Sequence, residues 1–270
     1  MPDEIFASKY YRLVHGRHGV FLANPQDTYI GRGLIEYGEF SELEWALLDQ
    51  IIRPGSVIAE VGANIGALTV PIARKVGAGG LVYAIEPQML VFQMLAANLA
   101  LNDLINTFAM NAAAGDAGSN GILTLARLDP ARPNNFGGIA LDRLRDETVP
   151  LPVRIAPLDD LIDPPRLNLI KADVEGMELE VLAGAAGLIA RHRPILYVEN
   201  NVAEKSAALI GHILGLGYRL WWHYPPFFNP GNHAGRSDNL FGTIQSSNML
   251  AVPEESSREV TGLTPVEDPA

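Results

Sequence analysis

The sequence of 270 residues predicts an α/β domain: a doubly wound, mostly parallel sheet, helices on both faces, and an antiparallel C-terminal edge. Three observations lead there. Between residues 41 and 200, short apolar strand patterns alternate with helical ones, the order that parallel βαβ units require. The strands read as nearly unbroken apolar runs, SVIAEVGA and LVYAIEP among them, as strands do when both sheet faces are covered. Hydrophobic residues make up 48% of the chain, enough for a sizeable core.

Taken in order, Ser41 and Glu44 have capping-box spacing ahead of LEWALLDQII, so a helix starts there, and Pro54-Gly55 ends it. SVIAEVGA is the first strand, and IGALTVPIARKV is a helix directly after its turn. LVYAIEP is the second strand, QMLVFQMLAANLALN a helix, and NTFAMNAAA a weaker third strand. A turn-rich insertion spans 115–150. LDDLI then makes a helical turn, with Asp159-Asp160 read as capping residues. LNLIKADV is the fourth strand, EGMELEVLAGAAGLIARH one long amphipathic helix, and PILYVENN the fifth strand. VAEKSAALIGHILGLG is a further helix, and YRLWWHY and SSNMLAVP, joined by a long loop, form the antiparallel edge. The organisation is thus an aromatic, turn-rich cap segment over 1–40, one α/β domain over 41–252, and a tail over 253–270. That tail has five acidic residues and one basic residue and is expected to be disordered.

Composition narrows the partners. The net charge of −11 and the lack of a basic stripe argue against nucleic acid. The absence of cysteine removes disulfides, thiolate zinc sites and cysteine nucleophiles. No apolar run is long enough for a membrane helix, and the acidic start MPDEIFASKYYRLVHGRHG does not read as a signal peptide. A cytoplasmic protein with no membrane partner is the expectation.

The first strand runs into Glu60-Val61-Gly62-Ala63-Asn64-Ile65-Gly66 and then a helix. A tight turn there lets a ligand approach the backbone, and the helix N-terminus beyond it favours negative groups. Asn64 stands where a dinucleotide-binding turn has its middle glycine, so the pattern suits a ligand with an amino-acid moiety, for which acidic Glu60 is a partner. Glu86-Pro87 ends the second strand, 20 residues beyond Gly66, where a carboxylate accepts ribose hydroxyls. Lys171 and Asp173 share a face of the fourth strand, and Glu199-Asn200 end the fifth. These strand ends should meet beside the turn, because ligands of open parallel sheets bind outside the carboxyl ends where strand order reverses. Glu175 and Glu178 read as first-turn acids that complement a helix dipole.

EVGANIGALTVPIA, AIEPQ, NLALN, AAAGD, LIKADVEGMELEVLAGA and ILYVEN, in this order, resemble the FkbM family of S-adenosylmethionine-dependent methyltransferases over residues 38 to 200. The flanks resemble a bacterial subgroup of that family. The resemblance implies a Rossmann-like class I methyltransferase fold, S-adenosylmethionine as cofactor, and methyl transfer to a hydroxyl oxygen of a sugar, glycan or polyketide-like molecule. It also implies a cofactor set of Glu60, Gly62, Asn64, Gly66, Glu86, Pro87, Asp116 and Asp173. Glu39, in the segment DTYIGRGLIEYGEF, is a candidate for the cofactor's amino group.

Such chemistry needs the acceptor aligned and its proton managed. Asp173, Glu199 and Asn200 resemble the oxygen-ligand set of catechol-type O-methyltransferases, which implies a divalent cation such as Mg²⁺ that orients and acidifies the acceptor. The competing mechanism uses His223 as general base, and Asp173 and Lys171 are the other catalytic candidates. Asn134–Gly138 and Phe227–Asn232 are polar-aromatic loops suited to the acceptor, and the stretch Trp221–Phe228 suits a substrate pocket or a homodimer interface. Two other readings stay open. A nicotinamide-dependent oxidoreductase would want the middle glycine and Tyr-x-x-x-Lys, but Tyr197 is followed by Val, Glu, Asn and Asn. A cofactor-binding module without catalysis is the other.

Overall fold

The computed structural model describes residues 3–138 and 150–267, so 139–149 of the expected insertion and the last three residues lie outside the described part. The chain opens with an antiparallel meander of β1 (Glu4–Ala7), β2 (Arg12–Gly16) and β3 (Gly19–Ala23), followed by α1 (Ile30–Tyr37) and α2 (Glu42–Ile51). The expected capping box does not form. Ser41 takes a left-handed conformation with no side-chain cap bond, and Glu44 is buried at 3% exposure, on the helix face that also buries Leu48.

The alternation then runs as expected through β4 (Val57–Val61), α3 (Thr69–Val76), β5 (Leu81–Ile85), α4 (Met89–Leu101) and β6 (Thr107–Met110). The expected third strand is really two. At Asn111 the side-chain amide donates to the carbonyls of Glu86 and Pro87, both at 2.9 Å. There the chain leaves the main sheet, and β7 (Ala112–Gly115) joins a small sheet with β8 (Gly121–Ala126) and β9 (Pro150–Pro157). After α5 (Leu158–Leu161) and β10 (Leu169–Ala172), the expected long helix breaks into α6 (Glu178–Ala183) and α7 (Ala186–His192). Asp159 explains the break: its carboxylate accepts the Gly187 and Leu188 amides at 2.7 and 2.8 Å, so it caps α7 rather than its own turn. The remaining elements are β11 (Ile195–Glu199), α8 (Ala203–Gly215), β12 (Tyr218–His223), β13 (Asn248–Pro253) and β14 (Thr264–Pro265).

The main sheet has the order β14-β12-β13-β11-β10-β4-β5-β6. Strands β11, β10, β4, β5 and β6 are mutually parallel, and β13 runs antiparallel between β11 and β12. The predicted doubly wound sheet with an antiparallel C-terminal edge is therefore present. Strand β14 corrects the expectation of a disordered tail as far as residue 267. It pairs with β12, and Val260, Leu263 and Val266 pack against the core, which draws the chain onto the sheet.

Side-chain alternation sorts the central strands. Ala59, Val61, Ile170 and Ala172 pack with residues of α6, α7 and α8, whereas Ile58 and Leu169 pack with Leu48 of α2 and Ile72 of α3. Glu60 and Lys171 share the second face and sit directly opposite each other in the β4–β10 register. Strand order reverses between β4 and β10, so this is the switch point where a cleft is expected.

Two asparagines one turn apart, Asn98 on α4 and Asn102 at its C-terminal cap, attach the meander. Asn98 accepts the Leu22 amide at 2.6 Å and donates to the carbonyls of Leu22 and Ile65 at 3.1 and 2.7 Å. Asn102 bonds both backbone groups of Val20 in the same way. Asn98→Ala would leave backbone groups unpaired at a fully buried position, and we expect a loss of about 2–4 kcal/mol in chemical denaturation.

Candidate active site

A cleft of about 630 Å³ lies over the carboxyl ends of β4, β5, β10 and β11. Its floor begins at the glycine turn. Gly62 has φ +83°, and a Cβ there would stand 1.8 Å from the Asp173 carbonyl oxygen, so only glycine lets the ends of β4 and β10 close together. Asn64 also has positive φ, 50°, which asparagine tolerates. Glu86 holds the turn in shape: its carboxylate accepts the Asn64 amide at 3.0 Å and the Gln88 amide at 2.8 Å. Pro87 lines a small adjoining pocket with Glu86 and Asp173.

The floor is acidic. Glu60 is fully buried, and neither of its carboxylate oxygens has a hydrogen-bond partner. Burial pushes it up to about 7, against the pull of Lys171. Burial also lifts Glu44, Glu86 and Glu175 to about 7. Glu199 rises far above the usual carboxylate range, through burial first and then repulsion from Asp173 and Glu175.

One buried ammonium answers Glu44, Glu60 and Glu199. Lys171 Nζ lies 3.1 Å from Asp173 Oδ2 and 3.8 Å from Glu44 Oε1. Burial pulls its pKa down, but Asp173, Glu44 and Glu60 outweigh this and hold it above its ordinary value. Lys171 therefore stays charged and cannot act as a base.

Asp173, Glu175 and Glu199 each bring a carboxylate oxygen to within 4.8 Å of the others. Glu175 thus joins Asp173 and Glu199 in the cleft, where the sequence pattern suggested only a dipole role. Glu178 does serve the backbone, accepting the Val174 and Gly176 amides at 3.0 and 3.1 Å. Asn200 lines the cleft wall, but its amide nitrogen donates to Ser206 Oγ at 2.9 Å and Met249 Sδ at 3.4 Å.

The segment 134–138 crosses this floor. Phe136 is fully buried in a cluster with Phe21 and Ile65. Asn134 exchanges backbone bonds with Gln26 and Thr28, each 3.0 Å. Gly137 lies so close to Asn64 that a Cβ would overlap its side-chain amide, and a Cβ on Gly138 would stand 2.8 Å from Glu175 Oε1.

Three expected site residues are not brought to the cleft. Glu39 is buried elsewhere: its carboxylate accepts Arg17 Nε at 2.6 Å, Asn229 Nδ2 at 2.7 Å and the His233 amide at 2.8 Å. It clamps the N-terminal segment to the 229–233 loop. Asp116 is exposed and caps its own turn through Gly118 and Ser119. His223 does not line the cleft. Its Nδ1 pairs with the Tyr197 hydroxyl at 2.8 Å, which also accepts Asn248 Nδ2 at 2.8 Å, and burial lowers its pKa. Gly66 belongs to the turn, with φ +88°.

Phe227, of the loop expected to meet the acceptor, does line the cleft, and the structure adds Glu44 and, beside Phe227, Tyr29 and Phe40. Glu44 had a signal that was misread. It stands four residues before Leu48, on the apolar stripe of its helix, where a carboxylate is out of place unless it serves a site.

The methyltransferase FkbM domain model matches residues 60–220, more than half of the chain. The chain belongs to the FkbM methyltransferase family. The matched region holds Glu60, Glu86, Lys171, Asp173, Glu175 and Glu199, so the acidic floor is part of the FkbM domain except for Glu44. Among solved structures, the chain is similar in fold to a methyltransferase FkbM from Methylobacillus flagellatus KT. The identity is 20% and the TM-score 0.50, with 75% of this chain and 45% of that chain covered. The FkbM chain described here thus spans less than half the length of that relative. It also resembles a precorrin-6y C5,15-methyltransferase from Geobacter metallireducens GS-15, at 13% identity and TM-score 0.49, covering 78% of this chain and 86% of that chain. No curated protein matches the sequence.

The raised carboxylates have a measurable consequence. Glu44, Glu60, Glu86 and Glu175 hold protons in the folded state that the unfolded chain releases near its ordinary pKa of 4.5. Without added ligand, stability should therefore fall as pH rises from about 4.5 to about 7. Lys171→Met, which removes the ammonium that draws Glu44 and Glu60 toward ionisation, should destabilise by roughly 3–5 kcal/mol near pH 8 and by less at pH 5.5. Urea denaturation across that pH range reads both.

Proposed function

We propose that the protein is an S-adenosylmethionine-dependent O-methyltransferase whose acceptor is a hydroxyl on a sugar, glycan or polyketide-like small molecule. The observation that carries this reading is the pair Glu60 and Glu86, buried on either side of the Gly62–Gly66 turn at the ends of adjacent strands. Glu60 has two unpaired oxygens, the arrangement a cationic ligand group satisfies. Each oxygen of Glu86 accepts one backbone amide and keeps a lone pair for a ribose hydroxyl. Asn64 and Gly62 leave the backbone open to a nucleoside with an amino-acid arm.

When bound, S-adenosylmethionine supplies a methyl group already activated by its sulfonium. The protein's own residues then have three tasks. Gly137 and Gly138 let the segment 134–138 close against Asn64 of the turn and against Glu175, where a side chain would not fit. Lys171 orients the Asp173 carboxylate through the 3.1 Å contact. Of the three carboxylates Asp173, Glu175 and Glu199, Asp173 and Glu175 are positioned to take the acceptor's proton, because burial and its acidic neighbours leave Glu199 protonated, His223 is committed to Tyr197 and Lys171 stays protonated. These three carboxylates are also a fitting donor set for a hard divalent cation, which would lower the acceptor hydroxyl's pKa. A cytoplasmic small-molecule acceptor goes with the acidic cleft better than nucleic acid does.

Calorimetric titration tests the cofactor. S-adenosylmethionine should bind and NADH should not. Binding a sulfonium and an ammonium requires Glu60 and its neighbours to ionise, so affinity should rise between pH 6 and 8 with protons released to buffer. Glu86→Gln should weaken binding by about tenfold, one charge-assisted hydrogen bond's worth. If NADH binds and S-adenosylmethionine does not, the proposal fails. The cation has its own check: chelation should abolish methyl transfer and Mg²⁺ restore it, while activity that survives chelation and Glu199→Gln removes the cation from the scheme.

A further inference from the structure

The cleft divides by origin. Its acidic floor comes from within residues 60–220, the matched domain, with Glu44 the exception, whereas the facing wall comes from the segments on either side. Tyr29 and Phe40 enter from the N-terminal side and Phe227 from the loop after β12. Phe227 stands edge-on to Phe40 at 5.0 Å and to Tyr29 at 5.8 Å, and Phe241 backs all three at 5.8–6.5 Å.

This wall is held in place from behind. The Asp27 carboxylate accepts the Tyr29 and Gly31 amides at 3.1 and 3.0 Å, fixing the start of α1. Tyr37 donates to the Asp238 carbonyl at 2.8 Å and accepts the Leu240 amide at 2.7 Å, and Glu39 ties in the 229–233 loop. Preorganised aromatic faces of this kind bind apolar surface at low entropic loss.

Elsewhere the lining changes character. Gln245, Ser246, Ser247 and Asn201 contribute amide and hydroxyl groups, which suit hydroxyls on a ligand's edge. Six carboxylates also line the cleft: Glu44, Glu60, Glu86, Asp173, Glu175 and Glu199. Its lysine, Lys171, is already engaged by Asp173 and Glu44. An anionic group brought into this space would meet carboxylates in a partly dry environment, where like-charge repulsion is strong.

We infer that the acceptor is a non-anionic polyhydroxylated ring that lays its apolar C–H face on Tyr29, Phe40 and Phe227, and that this wall sets acceptor choice. The inference rests on the methyl-transfer reading above and deepens it. A ring with hydroxyls on its edge matches the two kinds of lining, and a protonated amine on it would be welcome among the carboxylates. A phosphate or uronate would not.

The test uses the full-length protein with methyl-labelled S-adenosylmethionine and four acceptor sets: methyl hexopyranosides, the matching hexosaminides, the matching uronides and the matching 6-phosphates. Neutral and amino glycosides should be methylated, with kcat/KM at least tenfold above that of their uronide or phosphate counterparts. Phe227→Ala should raise KM for the best glycoside about tenfold, and Phe227→Leu, which keeps bulk but not the aromatic face, should fall between. Both variants should keep the parent's Kd for S-adenosylmethionine, which also shows that they fold. The inference is overturned if uronides or phosphates are accepted as well as neutral rings, if no ring is accepted by protein that binds the cofactor, or if both Phe227 variants leave KM unchanged. Failure to bind S-adenosylmethionine would instead strike the underlying methyl-transfer reading, so the two failures are told apart.

Discussion

Lys171 stands on β10 between β4 and β11, opposite Glu60 on one side and Tyr197 on the other. Its ammonium is 3% exposed and faces Asp173 and Glu44, with Glu60 close enough to act on it. Removing one charge from such an arrangement leaves the others buried and uncompensated, which is more damaging than never having had the pair. The ionisation of Glu44, Glu60 and Glu199 depends on this ammonium. Asp173 is paired with it at 3.1 Å, and Glu44 and Glu60 are held nearer ionisation than burial alone would allow.

Around that floor the molecule is built from two kinds of attachment. The parallel sheet brings Glu60, Glu86, Lys171 and Glu199 to one rim simply because they end adjacent strands. The flanking segments must be fastened by side chains instead. Asn98 and Asn102 receive the meander, Asp27 starts α1 over the cleft, Phe136 pins the glycine strap, and Glu39 joins the N-terminal segment to the loop beyond β12. Several of these are buried polar groups whose bonds are satisfied, so they add specificity of position without an unpaired-group penalty. Glu60 is the contrast: it is buried with its oxygens unmatched, as a group does when it waits for a ligand.

Much of the floor was legible in the chain. Strands ending in Glu60, Glu86, Lys171-Ala172-Asp173 and Glu199 could be recognised by local pattern, and strand alternation put Lys171 and Asp173 on one side. Where reading failed, a long-range partner had replaced a local one. Ser41 and Glu44 have capping-box spacing, yet Lys171 and the cleft claim Glu44. Asp159 looks like a cap for its own turn but caps α7. His223 has the chemistry of a base, but Tyr197 occupies it. Glu39 is a candidate partner for a cofactor amine by sequence, but Arg17, Asn229 and His233 engage its carboxylate outside the cleft. Val260 and Leu263 were too sparse in a polar tail to announce that they pack on the sheet.

What the amino-acid order determined by itself was periodicity and its consequences: the α/β class, the run of elements, the turn at Gly62–Gly66, and the acids that end the strands. Those follow from interactions within a few residues, which spacing records. The tertiary structure alone decided which acids share one ammonium, that Glu175 joins Asp173 and Glu199, and that aromatics nearly 200 residues apart, Tyr29 and Phe227, form one wall. These pairings depend on strand order and on how the flanks fold back. Contact across a sheet is set by packing, and no local spacing encodes it.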